Sequence, residues 1–205
     1  MAYSAFDVVA LAASSGGIAA LPQVLRSLPP DFPAVVTLVQ HVGAASPGLV
    51  PNILARDSGI PVAHALDREP LKPGRVYVAP PDRHLFITRD RCVMLTRSTR
   101  VRFCRPAADP LFVSAAGTWG SRCLGVVLTG ASNDGAAGVQ AIKWAGGMSI
   151  AQDPNSAAAT SMPRAAIATG CVDLVLPLHS IGPAIVALVM ARGAADFLRV
   201  PLRAA

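Results

Sequence analysis

The 205-residue sequence is short of several things, and each shortage removes a class of protein. Charged residues make up only 15% of it, and neither a low-complexity tract nor a Gly/Ser-rich linker interrupts it, which excludes a disordered or fibrous chain. Aromatic residues are 5%, too sparse for a platform on which single-stranded nucleic acid would stack, so no nucleic-acid partner is expected. Although 52% of the residues are hydrophobic, no apolar run approaches the roughly 18–20 residues of a spanning helix, so the apolar residues build a core and no membrane insertion is expected. The run Val8–Ser14 has the look of a signal-peptide centre, but Asp7 opens it and no Lys or Arg precedes Arg26; a buried first strand fits better. Cys92, Cys104, Cys123 and Cys171 include no C-x-x-C pair, which argues against a zinc site or a disulfide framework and for reduced thiols in the cytoplasm.

Lysine is nearly absent. Lys72 and Lys143 are the only two, so the net charge of +6 rests on arginine. Arg89, Arg91, Arg97, Arg100, Arg102 and Arg105 crowd one short stretch, which reads either as a patch for an acidic protein surface or, less well given the few aromatics, for nucleic acid, or as the solvated face of a hairpin.

What is present is an alternation of short β-branched runs with longer helical patterns. It predicts a doubly wound α/β fold: a mostly parallel sheet with helices on both faces, residues 1–205 forming a single domain. Strands are expected at Asp7–Ala13, Ala34–Gln40, Leu124–Thr129, Met148–Gln152 and Val172–Leu176. Helices are expected near Ile18–Leu28, Pro47–Arg56, Asp109–Gly120, Ala136–Ala145, after Pro163, and from Ser180 to Arg192. Between about residues 60 and 102, short strands at Tyr77–Pro80, Leu85–Thr88 and Cys92–Leu95 form a section expected to be more antiparallel.

Three of the parallel strands run out into Ser14, His41 and the loop carrying Asp134, at the sheet edge where open α/β folds bind ligands. These residue types supply a nucleophile, a general base and a carboxylate that orients the base. Each also has a bland explanation: Ser14 as a helix cap or part of a phosphate cradle, His41 as a partly exposed polar residue, Asp134 as the N-cap of the helix after it. A nucleotide cradle is weakly supported, since G-x-G-x-x-G and a P-loop lysine are both missing. Ser15 and Gly16 offer backbone amides suited to an oxyanion, and Thr129, Gly130 and Met162 are further candidates for substrate binding. The order Ser, His, Asp and the lack of G-x-S-x-G set the chain apart from the α/β-hydrolases.

The ordered segments Ala12-Ala13-Ser14-Ser15-Gly16-Gly17, Val39-Gln40-His41, Tyr77-Val78-Ala79-Pro80, Arg105-Pro106 followed by Asp109, Leu128-Thr129-Gly130 with Asn133-Asp134-Gly135, and Met162-Pro163-Arg164 resemble the catalytic domain of the chemotaxis-receptor methylesterases, often called CheB-type. The resemblance spans almost the whole chain. It implies Ser14 as nucleophile, His41 as base and Asp134 as orienting carboxylate. The implied reaction is hydrolysis of glutamate γ-methyl esters on the cytoplasmic helices of a methyl-accepting chemoreceptor or similar signalling protein, with related deamidation of glutamine. It implies neither a metal nor an organic cofactor.

The chain departs from the family pattern at several positions. Ala131 stands where that pattern has methionine, followed by Ser132; Cys104 stands where it has histidine; Ser161 and Ala12 replace glycines. Family members commonly carry an N-terminal receiver domain, whereas six residues precede the first expected strand, so control in cis is not expected and a separate response-regulator or methyltransferase protein would take its place. These departures leave two other readings open, a binding module without catalysis and an esterase for other small esters.

Overall fold

A computed structural model of the chain describes residues 4–191 together with 193 and 198. Seven parallel strands form its sheet: β1 (Val8–Ala13), β2 (Val35–Gln40), β3 (Val62–His64), β4 (Val76–Val78), β7 (Cys123–Val127), β8 (Met148–Gln152) and β9 (Leu174–Leu176), in the order β3-β4-β2-β1-β7-β8-β9. The pair β5 (His84–Ile87) and β6 (Val93–Thr96) makes a separate antiparallel hairpin. The helices are α1 (Gly17–Leu25), α2 (Val50–Leu54), α3 (Ala108–Trp119), α4 (Ala136–Trp144), α5 (Ser161–Ala168) and α6 (Leu178–Met190).

The alternation of strands and helices produces this fold for a physical reason. Every residue of β1, β2, β7 and β8 is buried, as a strand covered on both faces must be. Along β1 the two sides of the pleat feed two cores. Val9, Leu11 and Ala13 join the cluster around Leu21, Leu25, Ile181 and Ile185 of α1 and α6; Val8, Ala10 and Ala12 join that around Leu111, Phe112, Val139 and Met162 of α3, α4 and α5. Within the seven-stranded sheet only the edge strands β3 and β9 are partly exposed.

The mostly parallel sheet, the helical layers and the antiparallel section near residues 60–102 are as the sequence predicts. That section is narrower than its expected span, because β3 and β4 join the main sheet in parallel and only β5 and β6 pair antiparallel. Isolated three-residue strands carry too little periodicity to declare their partners. The expected end of the last helix at Arg192 lies outside the described residues. Strand order reverses direction about β1, which is flanked by β2 on one side and β7 on the other, so the switch point lies at the carboxyl ends of these three strands.

Candidate active site

Ser14 is the first residue beyond β1, and backbone bonds fix it there. Its amide donates to the Thr129 carbonyl (2.9 Å), while its carbonyl accepts from the Gly17 amide (2.8 Å) and from Gln40 Nε2 (2.9 Å). Gly16 opens α1 at φ +83°, and a Cβ there would stand 2.7 Å from that of Ala158 and 3.0 Å from Thr129 Oγ1, so only glycine fits. The side chain of Ser14 is half-buried, and Ser15 and Gly16 are exposed beside it.

His41 follows β2, its amide bonded to the Ala13 carbonyl at 2.9 Å, which sets it level with Ser14. Its Nε2 lies 2.7 Å from Asp134 Oδ2, with the histidine side chain 8% and the aspartate 0% exposed. Asp134 does not cap α4, the helix it precedes. Its Oδ2 instead accepts from the Ala108 amide (2.5 Å) and its Oδ1 from the Asp109 amide (3.0 Å), the first turn of α3. Asp109 returns the favour, its Oδ1 accepting from the amides of Gly135 (2.9 Å) and Gly138 (2.8 Å) at the start of α4. The capping expected of Asp134 is therefore real but directed to a different helix, because α3 and α4 lie side by side with their N-termini together.

Burial pushes the Asp134 carboxyl up, but the bonds from His41 and from the Ala108 and Asp109 amides outweigh it and hold the group below its ordinary range. Burial raises Asp109, and the neighbouring Asp134 charge adds to the effect. An ionised Asp134 is only an acceptor, so in the neutral imidazole His41 Nε2 carries the proton and Nδ1 presents the lone pair. Cys104 Sγ lies 3.5 Å from that Nδ1, and burial and the Asp134 charge hold its thiol protonated. No hydrogen bond joins the Ser14 hydroxyl to His41 among the described residues. A cleft of about 220 Å³ opens beside the histidine, with Gly43, Ala44, Cys104 and Arg105 in its wall.

The other candidates divide into two groups. The amides of Thr129, Gly130 and Met162 are already committed, to Gln152 Oε1, the Ala159 carbonyl and the Gly130 carbonyl respectively, each at 2.9 Å. Thr129 and Met162 are buried, and Met162 and Ser14 pack against Gly130: a Cβ there would meet Met162 Sδ at 2.1 Å and Ser14 Cβ at 2.9 Å. The exposed amides of Ser15 and Gly16 make no intramolecular bond among the described residues. Ser132, one of the departures, accepts the Asp134 amide at 2.9 Å, whereas Ala131 is exposed. Asp109, Gln40 and the Arg105–Asp82 pair (2.6 Å) support the site without having stood among its candidates. The Arg105-Pro106 signature ahead of Asp109 was the one sequence signal for the first of these.

Residues 9–185 match the family model described as CheB methylesterase. The chain belongs to that family. Its likeness to other CheB methylesterases is extensive. A protein-glutamate methylesterase/protein-glutamine glutaminase of Anaeromyxobacter dehalogenans is 45% identical over 85% of this chain and 51% of its own length. A Leptospira interrogans protein, provisionally named for the same two activities, is 40% identical over 86% of this chain and 91% of its own. The crystal structure of the Thermotoga maritima CheB methylesterase catalytic domain superposes with a TM-score of 0.86 at 33% identity, covering 90% of this chain and 99% of that one. The sheet and hairpin described above are thus the fold of a CheB catalytic domain.

Proposed function

We propose that this chain is a protein-glutamate methylesterase, hydrolysing glutamate γ-methyl esters on the cytoplasmic helices of a chemoreceptor or similar signalling protein and also deamidating selected glutamines. The observation that carries this reading is the buried His41–Asp134 bond, which leaves His41 Nδ1 as the basic nitrogen at the strand ends where Ser14 stands. The family relationship and the names of the relatives support it. Two cores built on the faces of one sheet support reading residues 1–205 as one catalytic domain. Among the described residues no helix is long and apolar enough to cross a membrane, in keeping with action in the cytoplasm.

In this mechanism Ser14 Oγ attacks the ester carbonyl, and its proton passes to His41 Nδ1 as the carbon–oxygen bond forms. In the complex with substrate the Ser14 hydroxyl and His41 Nδ1 come within hydrogen-bond reach, a contact that unliganded sites commonly lack. The carbonyl oxygen turns anionic and takes hydrogen bonds from the Ser15 and Gly16 amides at the start of α1. Collapse breaks the ester bond, and methoxide takes the His41 proton and departs as methanol. His41 then draws a proton from water as that water attacks the acyl-serine, and returns the proton to Ser14 Oγ as the acyl–oxygen bond breaks and the glutamate side chain is released as its acid, which ionises. Asp134 stays ionised throughout and steadies the imidazolium. For a glutamine side chain the same steps release ammonia.

Ser14→Ala should abolish methanol release from a methylated receptor fragment while leaving the circular dichroism spectrum unchanged, and a fluorophosphonate should label the unmodified protein on Ser14. Undiminished methanol release from the variant would sink the proposal.

A further inference from the structure

Val101 and Cys104 close a two-residue hairpin through reciprocal bonds, Val101 amide to Cys104 carbonyl at 3.1 Å and Cys104 amide to Val101 carbonyl at 2.8 Å. Both residues between them sit in the left-handed region, Arg102 at φ +50° and Phe103 at φ +64°. A turn of this form ordinarily carries Asn or Gly at both positions, so an arginine and a phenylalanine here hold their backbone under strain. Phe103 is moreover 95% exposed, the most exposed of the large hydrophobic side chains described. Strain and an unburied aromatic ring are two costs borne at one place, and neither helps the fold.

The place is next to the reacting groups. Cys104, which ends the turn, touches His41 Nδ1, and Arg100 and Phe103 stand at the mouth of the cleft beside that histidine. The base of the turn is pinned. Arg105 bonds Asp82 (2.6 Å) and the carbonyls of Arg97 (3.1 Å) and Ser98 (2.8 Å), and His84 Nε2 bonds the Thr99 carbonyl at 3.2 Å. A rigid base with an exposed aromatic tip is a preorganised contact rather than a loose loop. Residues 97–105 contain four arginines and no acidic residue, with Asp82 beside Arg97 and Arg105. Arg100 and Arg102, on either side of Val101 in the chain, are both exposed.

We infer that this turn is the anchor for an acidic helix of the protein substrate, Phe103 seating on the helix's apolar stripe while Arg100 and Arg102 pair with its carboxylates. The inference rests on the methylesterase reading for the identity of the partner. Charge selects the partner: a segment rich in free glutamate carries the complementary sign, and an isolated aromatic flanked by arginines has the composition of an interface hot spot. Occupying the turn would bring a glutamyl side chain of the helix to the cleft at its foot.

The test measures binding and turnover separately in the full chain. A fluorescently labelled receptor fragment, methylated on one glutamate and carrying its other glutamates as free carboxylates, is titrated with the unmodified protein, with Phe103→Ala and with the pair Arg100→Glu and Arg102→Glu. Methanol release from the fragment and hydrolysis of p-nitrophenyl acetate are followed in parallel. Both variants should bind the fragment at least about tenfold more weakly, lose methanol release from the fragment by a larger factor than they lose p-nitrophenyl acetate turnover, and in the double variant lose the salt dependence of binding. Unchanged binding in both would overturn the inference. So would binding by the unmodified protein to single-stranded DNA or anionic vesicles, but not to the fragment, through the same three residues. Tight, variant-sensitive binding without methanol release would leave the anchor standing and remove the methylesterase reading instead.

Discussion

Cys104 Sγ lies 3.5 Å from His41 Nδ1, the ring nitrogen that Asp134 leaves free. The thiol is a weak donor, so a serine hydroxyl displaces it at little cost, but any group added to the sulfur stands against the base. Methyl methanethiosulfonate should therefore slow methanol release at least tenfold, with dithiothreitol restoring it. Cys104→Ala should resist the reagent and keep its turnover within about threefold, the scale of a weak hydrogen bond. Equal inactivation of that variant would place the sensitive thiol elsewhere.

Asp134→Asn strikes two functions at once. The substituted amide no longer holds the His41 proton on Nε2, and a loss of activity on the order of 10³–10⁴ is expected where an orienting carboxylate is neutralised. It also replaces one of the two oxygens that accept from the Ala108 and Asp109 amides and from His41 by a donor, which should cost about 1–3 kcal/mol of stability in a urea titration. A variant that loses stability but not activity would separate the cap from the chemistry.

The exchange of caps between Asp109 and Asp134 makes stability depend on pH with opposite signs. Asp134 is held below the ordinary value of 3.8, so its contribution is present above that pH and is lost as pH falls through the lower folded value. Asp109 is held above 3.8, so its contribution is full below 3.8 and is lost as pH rises through the higher folded value. The unmodified protein should lose urea midpoint as pH rises above about 4, and Asp109→Asn should remove that decline. An unchanged slope in the variant would assign the decline to other groups.

Gly130→Ala inserts a methyl group 2.1 Å from Met162 Sδ and 2.9 Å from Ser14 Cβ. Overpacking of this kind costs about 1–3 kcal/mol, and the flexible methionine can yield where the serine backbone cannot. Methanol release should fall more than stability does, and adding Met162→Ala should recover the melting temperature but not the rate. Recovery of both would show that Ser14 had not been moved.

By itself the sequence determined the sheet and the neighbourhood of the site. Continuous apolar runs such as Val8–Ala13 and Val35–Gln40 can be satisfied only by strands covered on both faces, and the carboxyl ends of parallel strands share one edge, so Ser14, His41 and Asp134 had to converge there. The tertiary structure alone decided the rest. Which imidazole nitrogen meets Asp134, 93 residues away, and which helix that aspartate caps depend on how α3 and α4 pack, and no local pattern records a packing angle. The arginine stretch shows the same division. In sequence it reads as one patch, but the hairpin carries Arg89 and Arg91 to the turn that joins β5 to β6, Arg91 over the Trp119 ring, while Arg97–Arg105 lie beyond the far end of β6, alongside the cleft. Periodicity reports which face a residue occupies within its own element; only the assembled layers bring residues from different elements into contact.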